Sequence, residues 1–193
     1  MLPTIEMRFI IIMKNKLLKF FVLIIILLCI AIVTVKKVYP NSYSSDITNY
    51  SKQYGVDPIL VSAVIKAESN FKPGAKSSQN AYGLMQITPE TANWAGKEMK
   101  IASFSVDKLY DPSFNIRMGC WYLDYLNKQF SGNMDLVLAA YNGGPGNVKK
   151  WLADQEHSKD GKNLHYIPFK ETDKYVKKVK VNYNIYKFLY YRK

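Results

Sequence analysis

Asp57-Pro58, followed by the run Ile59 to Ala67 and then by Glu68-Ser69, constrains this chain more than any other stretch. Asp57 is a good helix N-cap, and Pro58 suits the first helical position, where its missing N–H costs nothing. At helical spacing, Leu60, Val61, Val64, Ile65 and Ala67 cover most of the circumference. Such a rod is stable only when other elements pack around it, so the fold must be built about this helix. Glu68 stands where the rod surfaces. Two readings of it are open. It is either the first solvated residue beyond a core helix, or a carboxyl whose lost solvation raises its pKa, as a general acid working near neutral pH requires.

The hydrophobic content, 48% of 193 residues, suits one domain with a substantial core. Part of it is not core. No charge occurs from Phe20 to Val35, a run flanked by Lys19 and by Lys36-Lys37. Sixteen helical residues reach about 24 Å against a hydrocarbon layer of about 30 Å, and Leu17, Leu18 and snorkelling lysines extend that reach. An uncleaved anchor competes with a cleaved signal peptide. Apolar residues continue past Cys29 and Ala31, where cleavage would fall, which favours the anchor. Cys29 lies deep in the run behind the large Leu28 and reads as membrane-embedded rather than lipidated. Arg8, Lys14, Lys16 and Lys19 outnumber the basic residues that follow the run, so residues 1–19 are expected in the cytoplasm and the remainder outside. The expected order is a cytoplasmic terminus (1–19), a single-pass transmembrane segment (20–35), a stalk (36–43) and an exported domain (44–193). Met13-Lys14-Asn15-Lys16 also has the form of a translation start.

Beyond residue 40 there is one cysteine, Cys120, so no intrachain disulfide can staple the exported part. Cys120 reads as a small buried hydrophobe. From Asn41 onward, 21 basic and 14 acidic residues leave a net charge of +7. That favours polyanions such as wall polymers and lipid headgroups. Nucleic acid is not an expected partner, because no binding motif for it is present.

Turn and cap signals divide the rest into helices. Ser44 or Ser45 is the expected cap of a helix over 46–54 that stops at Gly55. Residues 70–80 are dense in turn formers and read as a loop. Gly83 to Ile87 form a tight apolar turn, and Thr88-Pro89 open a helix through about Trp94. Met85 and Gln86 in that turn either belong to a buried connection or line a cleft. Asp111-Pro112 repeat the Asp-Pro start and open a long helix to about Phe130. Asn133 caps another over 134–141, whose apolar run ends in Tyr141-Asn142-Gly143-Gly144, either a plain helix stop or a polar delivery into a turn. A short helix is expected over 147–152, a polar loop over 153–163, and a last helix from Glu171, whose lysines read as a solvated face. His157 and His165 show no metal-ligand pattern with carboxylates or cysteine. No strand pattern and no repeat occurs, so the chain reads as an all-α, compact helical domain.

Four signals stand in order: Glu68-Ser69, Gly83-Leu84-Met85-Gln86-Ile87-x-Pro89, Ala140-Tyr141-Asn142-Gly143-Gly144, and Glu171-Thr172-x-x-Tyr175-Val176-x-Lys178-Val179. Together they resemble the soluble lytic transglycosylase family, with a catalytic domain similar to goose-type lysozyme, over about Ser44 to Tyr191. The resemblance implies a lysozyme-like helical fold and Glu68 as catalytic acid and base. It further implies Ser69 and Ser77 beside Glu68, Met85 and Gln86 along a sugar cleft, and Tyr141, Asn142 and Tyr175 flanking the carboxyl. Glu171 is expected to be a buried supporting group. Where the family has Ser-x-x-Gly-Ala, this chain has Ser77-Ser78-Gln79-Asn80-Ala81, and Asn80 can supply the left-handed turn. The implied substrate is the peptidoglycan glycan strand, cut after the muramoyl residue with 1,6-anhydro ring closure, with no cofactor and no metal. Alternatives are a hydrolytic muramidase of similar fold and an inactive glycan-binding or assembly module.

Overall fold

The computed structural model describes residues 3–101 and 104–190. The expected ends of the resemblance at Tyr191 and of the catalytic domain at Lys193 lie outside the described residues, as do Ala102 and Ser103. The side chain of Arg8, invoked for orientation, does too. The chain divides into two compact units, residues 1–40 and 41–193.

The first unit is one helix, α1 (Pro3–Val38). Within it, Met13–Val38 is long and apolar enough to cross a membrane by length and composition. Its 26 residues correspond to roughly 39 Å at 1.5 Å per residue. The helix thus runs past both ends of the charge-free segment, and residues 36–38, expected in the stalk, are helical.

Within the described residues the second unit is helical and has no extended strands: α2 (Ser44–Tyr54), α3 (Pro58–Glu68), α4 (Pro89–Glu98), a 3-10 turn (Val106–Tyr110), α5 (Pro112–Gln129), α6 (Met134–Gly143), α7 (Pro145–Ala153) and α8 (Lys170–Tyr190). α3 begins where Asp57 Oδ1 accepts from the Ile59 N–H at 2.8 Å. Residues 59–65 are buried, with Val61, Ala63, Val64 and Ile65 fully so. α8 is the main neighbour of α3, and α2 also packs on it. Tyr183 on α8 donates to Asp57 Oδ2 at 2.7 Å, and Asn182 donates to the Ala63 carbonyl at 3.3 Å. The N-cap of α3 is therefore also its tie to α8.

Caps at Thr88, Asp111 and Asn133 form as expected. The first helix of the unit differs. Tyr43, in a left-handed conformation and without a side-chain cap, precedes it, and Ser44 and Ser45 lie inside its first turn. α7 starts two residues before Asn147, because Pro145 takes the first helical position after Gly144.

Candidate active site

α3 stops at Glu68 for local reasons. The Ser69 N–H and Oγ both turn back to the Ile65 carbonyl, at 3.0 and 3.2 Å. Asn70 and Phe71 then take left-handed backbone conformations, φ 53° and 62°. Two consecutive residues in that region are costly and swing the chain away, which leaves Glu68 at the mouth of a cleft. Phe71 repays part of that cost by burial against the Tyr186 ring.

The opposite wall is a small tongue, residues 75–87. The Tyr82 and Ile87 backbones exchange two 3.0 Å hydrogen bonds, and the Gly83 N–H donates to Ala75 at 2.9 Å. Asn80 adopts the left-handed turn expected of it, at φ 62°. Gly83 sits at φ 75°, and a Cβ there would lie 2.2 Å from the Leu109 carbonyl. The tongue is clamped by Asn115, a fully buried side chain on α5. Its Oδ1 accepts from Met85 N at 2.7 Å, while its Nδ2 donates to the carbonyls of Tyr82 and Leu109 at 2.9 and 2.8 Å. Both N–H bonds of the amide and its oxygen are thus used on buried backbone groups, and of these the Tyr82 carbonyl also accepts from the Ile87 N–H.

Between these walls lies a cleft of about 520 Å3, lined by Ala67, Glu68, Ser77, Gln79, Ala81, Gln86, Thr88, Tyr141, Asn142, Glu171, Lys174, Tyr175 and Lys178. Six residues singled out in the sequence, Glu68, Ser77, Gln86, Tyr141, Asn142 and Tyr175, meet here. Two others do not. The Met85 side chain is fully buried and packs on Gly119, where an added Cβ would come within 2.2 Å of its sulfur. Only its backbone serves the site, since its carbonyl accepts from the Tyr141 hydroxyl at 2.8 Å. Ser69 is buried, with its hydroxyl bonded to its own helix.

Glu171 requires the opposite correction. It is exposed and lines the cleft, so the site holds a second carboxylate. The lysines of α8 are also more than a solvated face, because Lys174 and Lys178 line the same wall. Glu90, Glu98, Asp107 and Asp111, other acids in the sequence, do not line this cleft.

Burial pushes the Glu68 pKa up to about 7; the nearby Tyr175 hydroxyl and Lys178 charge oppose the rise, and Glu171 adds to it. A carboxyl balanced there gives up and regains a proton near neutral pH. The phenols of Tyr141 and Tyr175 are held well above their ordinary range, by burial first and then by the Glu68 charge. Both therefore stay protonated. The buried Tyr175 hydroxyl has no partner within hydrogen-bond geometry, yet it lies close enough to Glu68 for each group to shift the other's ionisation. Gln86, at φ 49°, turns its amide nitrogen back to the Gly83 and Ala75 carbonyls at 2.9 and 3.2 Å. Asn142 accepts from the buried Thr172 hydroxyl at 2.8 Å.

Reading the sequence missed Asn115, Thr88 as a lining residue and the cleft lysines. Asn115 left one usable signal, a lone amide among Phe114, Ile116 and Met118 on a core helix. Away from the cleft, Asp154, Glu156 and His157 bring one ligand atom each within 4.8 Å of one another, a grouping that the spacing of His157 and His165 did not suggest.

Residues 45–164 match the family model described as the transglycosylase SLT domain. The chain is 36% identical over 143 residues to the soluble lytic murein transglycosylase of Salmonella typhimurium, covering 73% of this chain and 22% of that protein. Its structure is similar to the 70-kDa soluble lytic transglycosylase of Escherichia coli, with TM-score 0.72 and 33% identity over 80% of this chain and 25% of that one. It is also similar to an inactive mutant of lytic transglycosylase Slt from Pseudomonas aeruginosa, with TM-score 0.71 and 33% identity over 80% and 25% of the respective chains. The chain spans about a quarter of the length of these relatives.

Proposed function

The chain belongs to the transglycosylase SLT domain family, and on that premise we propose that it is a membrane-tethered peptidoglycan lytic transglycosylase. The observation that carries this reading is Glu68: a half-buried carboxyl with its pKa raised to about 7, at the mouth of a cleft large enough for sugars and between two protonated tyrosines.

In the proposed reaction, protonated Glu68 donates to the glycosidic oxygen between the muramoyl and glucosaminyl sugars. The substrate's own 2-acetamido group supports the positive charge that develops at C1. Glu68, now ionised, takes the proton of the C6 hydroxyl on the same sugar. That oxygen attacks C1, a 1,6-anhydro ring closes, and the carboxyl ends protonated as it began. Because the nucleophile is tethered to the reacting sugar, the step gains a high effective concentration and consumes no water. Tyr175, whose hydroxyl is uncommitted, supplies a donor to the Glu68 carboxylate in its charged interval, while the Tyr141 hydroxyl stays on the Met85 carbonyl. Ser77, Gln86 and Asn142 offer the polar groups that orient the sugars.

The helix Met13–Val38 supports the anchor, which would hold the catalytic unit on the outer side of the membrane at the wall. The net charge of +7 from residue 41 onward suits an acidic wall.

The one feature that favours a hydrolytic muramidase instead is Glu171, a second carboxylate on the same cleft, of the kind a water-activating base would require. Product analysis separates the two. Digested wall examined by mass spectrometry should carry anhydromuramoyl ends, and reducing muramic acid ends would refute the transglycosylase reading. Glu68→Gln should abolish cleavage while leaving the far-UV spectrum unchanged; undiminished cleavage would remove Glu68 from its role.

A further inference from the structure

The last turn of α3 leaves carbonyls without helical partners, as every helix end does. The Ile65 carbonyl is satisfied by Ser69. The Ala67 carbonyl, one residue before Glu68, is satisfied from a distant part of the chain, because Lys178 on α8 reaches across and donates its Nζ at 2.6 Å. A cation bonded to the C-terminal carbonyls of a helix is favourable for that helix, but this one also lines the cleft beside the carboxyl.

We infer that Lys178 is a positioning residue for Glu68: its ammonium fixes the final turn of α3 and keeps one positive charge beside a carboxyl that must alternate between acid and base. The inference rests on the reading of Glu68 as acid and base. Without a cation, burial alone would favour the protonated form and make Glu68 a good acid but a poor acceptor of the second proton. A full ion pair would do the reverse. Lys178 gives one of its three N–H bonds to the Ala67 carbonyl, and among the described residues no ion pair joins it to Glu68, so it acts on the carboxyl through its charge. That arrangement leaves both protonation states of Glu68 within reach.

The charged and titratable groups around Glu68 are few. α8 presents Tyr175, Glu171, Lys174 and Lys178; α6 presents Tyr141; the tongue contributes no titratable side chain to the cleft. Lys66, on α3 itself, lies close enough to Lys178 that the two cations repel, and the pKa of Lys66 is lowered by burial first and by Lys178 second. Glu171 opposes Lys178 in its effect on Glu68.

The test compares Lys178→Gln, which keeps an N–H donor on a slightly shorter side chain but carries no charge, with Lys178→Arg, which keeps both donor and charge. The side chain is exposed, so neither change opens a core cavity. The pH dependence of kcat/KM for wall cleavage is measured on the full chain in detergent. Loss of the acid form of Glu68 sets the alkaline limb. Removing a cation raises a carboxyl pKa, so Lys178→Gln should move that limb to higher pH by about half a unit or more, while Lys178→Arg keeps the original position. If the limb stays in place in Lys178→Gln, even with a rate reduced uniformly across pH, Lys178 only caps a helix and the inference fails. If Glu68→Gln retains cleavage, the assignment of Glu68 fails instead, whatever the lysine variants do.

Discussion

The Tyr141 hydroxyl donates to the Met85 carbonyl at 2.8 Å, joining the end of α6 to the tongue across the floor of the cleft. The Tyr141 ring also packs on Tyr122 of α5, 5.3 Å between centroids. One side chain therefore sets the distance between two walls. Tyr141→Phe keeps the ring and removes the bond, which leaves a carbonyl unsatisfied in a buried turn. A loss of about 1–3 kcal/mol is expected. Chemical denaturation should report it, and wall cleavage should fall along with it. Unchanged stability would mean that solvent replaces the hydroxyl.

Asn115 should be less forgiving. Its amide makes three hydrogen bonds of 2.7 to 2.9 Å to backbone groups of the tongue and the 3-10 turn, inside a fully buried site. Asn115→Leu, of similar volume, takes this partner from the Met85 N–H and the Leu109 carbonyl and removes one of the two donors to the Tyr82 carbonyl. The expected destabilisation is about 3 kcal/mol or more. Hydrogen exchange should locate it at residues 82–87 as well as globally; protection confined to its ordinary value there would contradict the clamp.

Much of this frame was legible because local chemistry decides it. Asp57-Pro58, Thr88-Pro89 and Asp111-Pro112 place a cap oxygen and a proline where a helix start needs them, and the helices start there. α2 begins instead on Tyr43 in a left-handed conformation, and α7 on Gly144 without a side-chain cap; neither leaves a cap residue to read. Which way a side chain faces is a different matter. Met85 and Gln86 are adjacent, yet Met85 drops onto Gly119 while Gln86 turns to the cleft, and only the left-handed backbone at Gln86 and the gap left by a glycine on another helix decide it. Glu171 and Lys178 belong to the last of the four sequence signals, but that signal does not say which way either side chain faces. Their place on the cleft wall depends on how α8 is rotated against α3.

Gly119 supplies the next test. An added Cβ would lie 2.2 Å from the Met85 sulfur and 3.0 Å from its Cβ. The sulfur could swing aside, but the Cβ is fixed to the tongue backbone that Asn115 holds. Gly119→Ala should therefore destabilise by about 1–3 kcal/mol through overpacking, partly offset by better helix propensity. Pairing it with Met85→Ala, which removes the sulfur, should recover part of the loss. An additive double mutant would show that the two residues do not press on each other.

Tyr175 separates stability from chemistry. Its hydroxyl is buried without a geometric hydrogen-bond partner, so Tyr175→Phe removes an unsatisfied polar group and should leave stability unchanged or slightly raised. The same hydroxyl favours the charged form of Glu68. Its removal should raise the Glu68 pKa, observable as a shift of the carboxyl resonance titration to higher pH by NMR. A titration that stays in place would mean that the hydroxyl does not act on Glu68.

The raised pKa of Glu68 itself makes a prediction about folding. The carboxyl titrates near 4.5 in the unfolded chain and near 7 in the folded one. Below pH 4.5 both states hold the proton and the site is neutral in each. Between these values the unfolded chain ionises while the folded one does not, so stability falls as pH rises, and above pH 7 the folded protein carries a charge that burial disfavours. A shift of this size corresponds to about 3 kcal/mol at full extent. Glu68→Gln, neutral at every pH, lacks this loss. Relative to the native protein it should therefore gain little in melting temperature at pH 4.5 and progressively more up to about pH 8, where the gain levels off. Screening by salt should reduce the gain only weakly, since the dominant cause is lost solvation rather than a distant charge. Equal melting temperatures at pH 8 would show that the carboxyl is solvated in the folded protein, and that its pKa is not raised by burial.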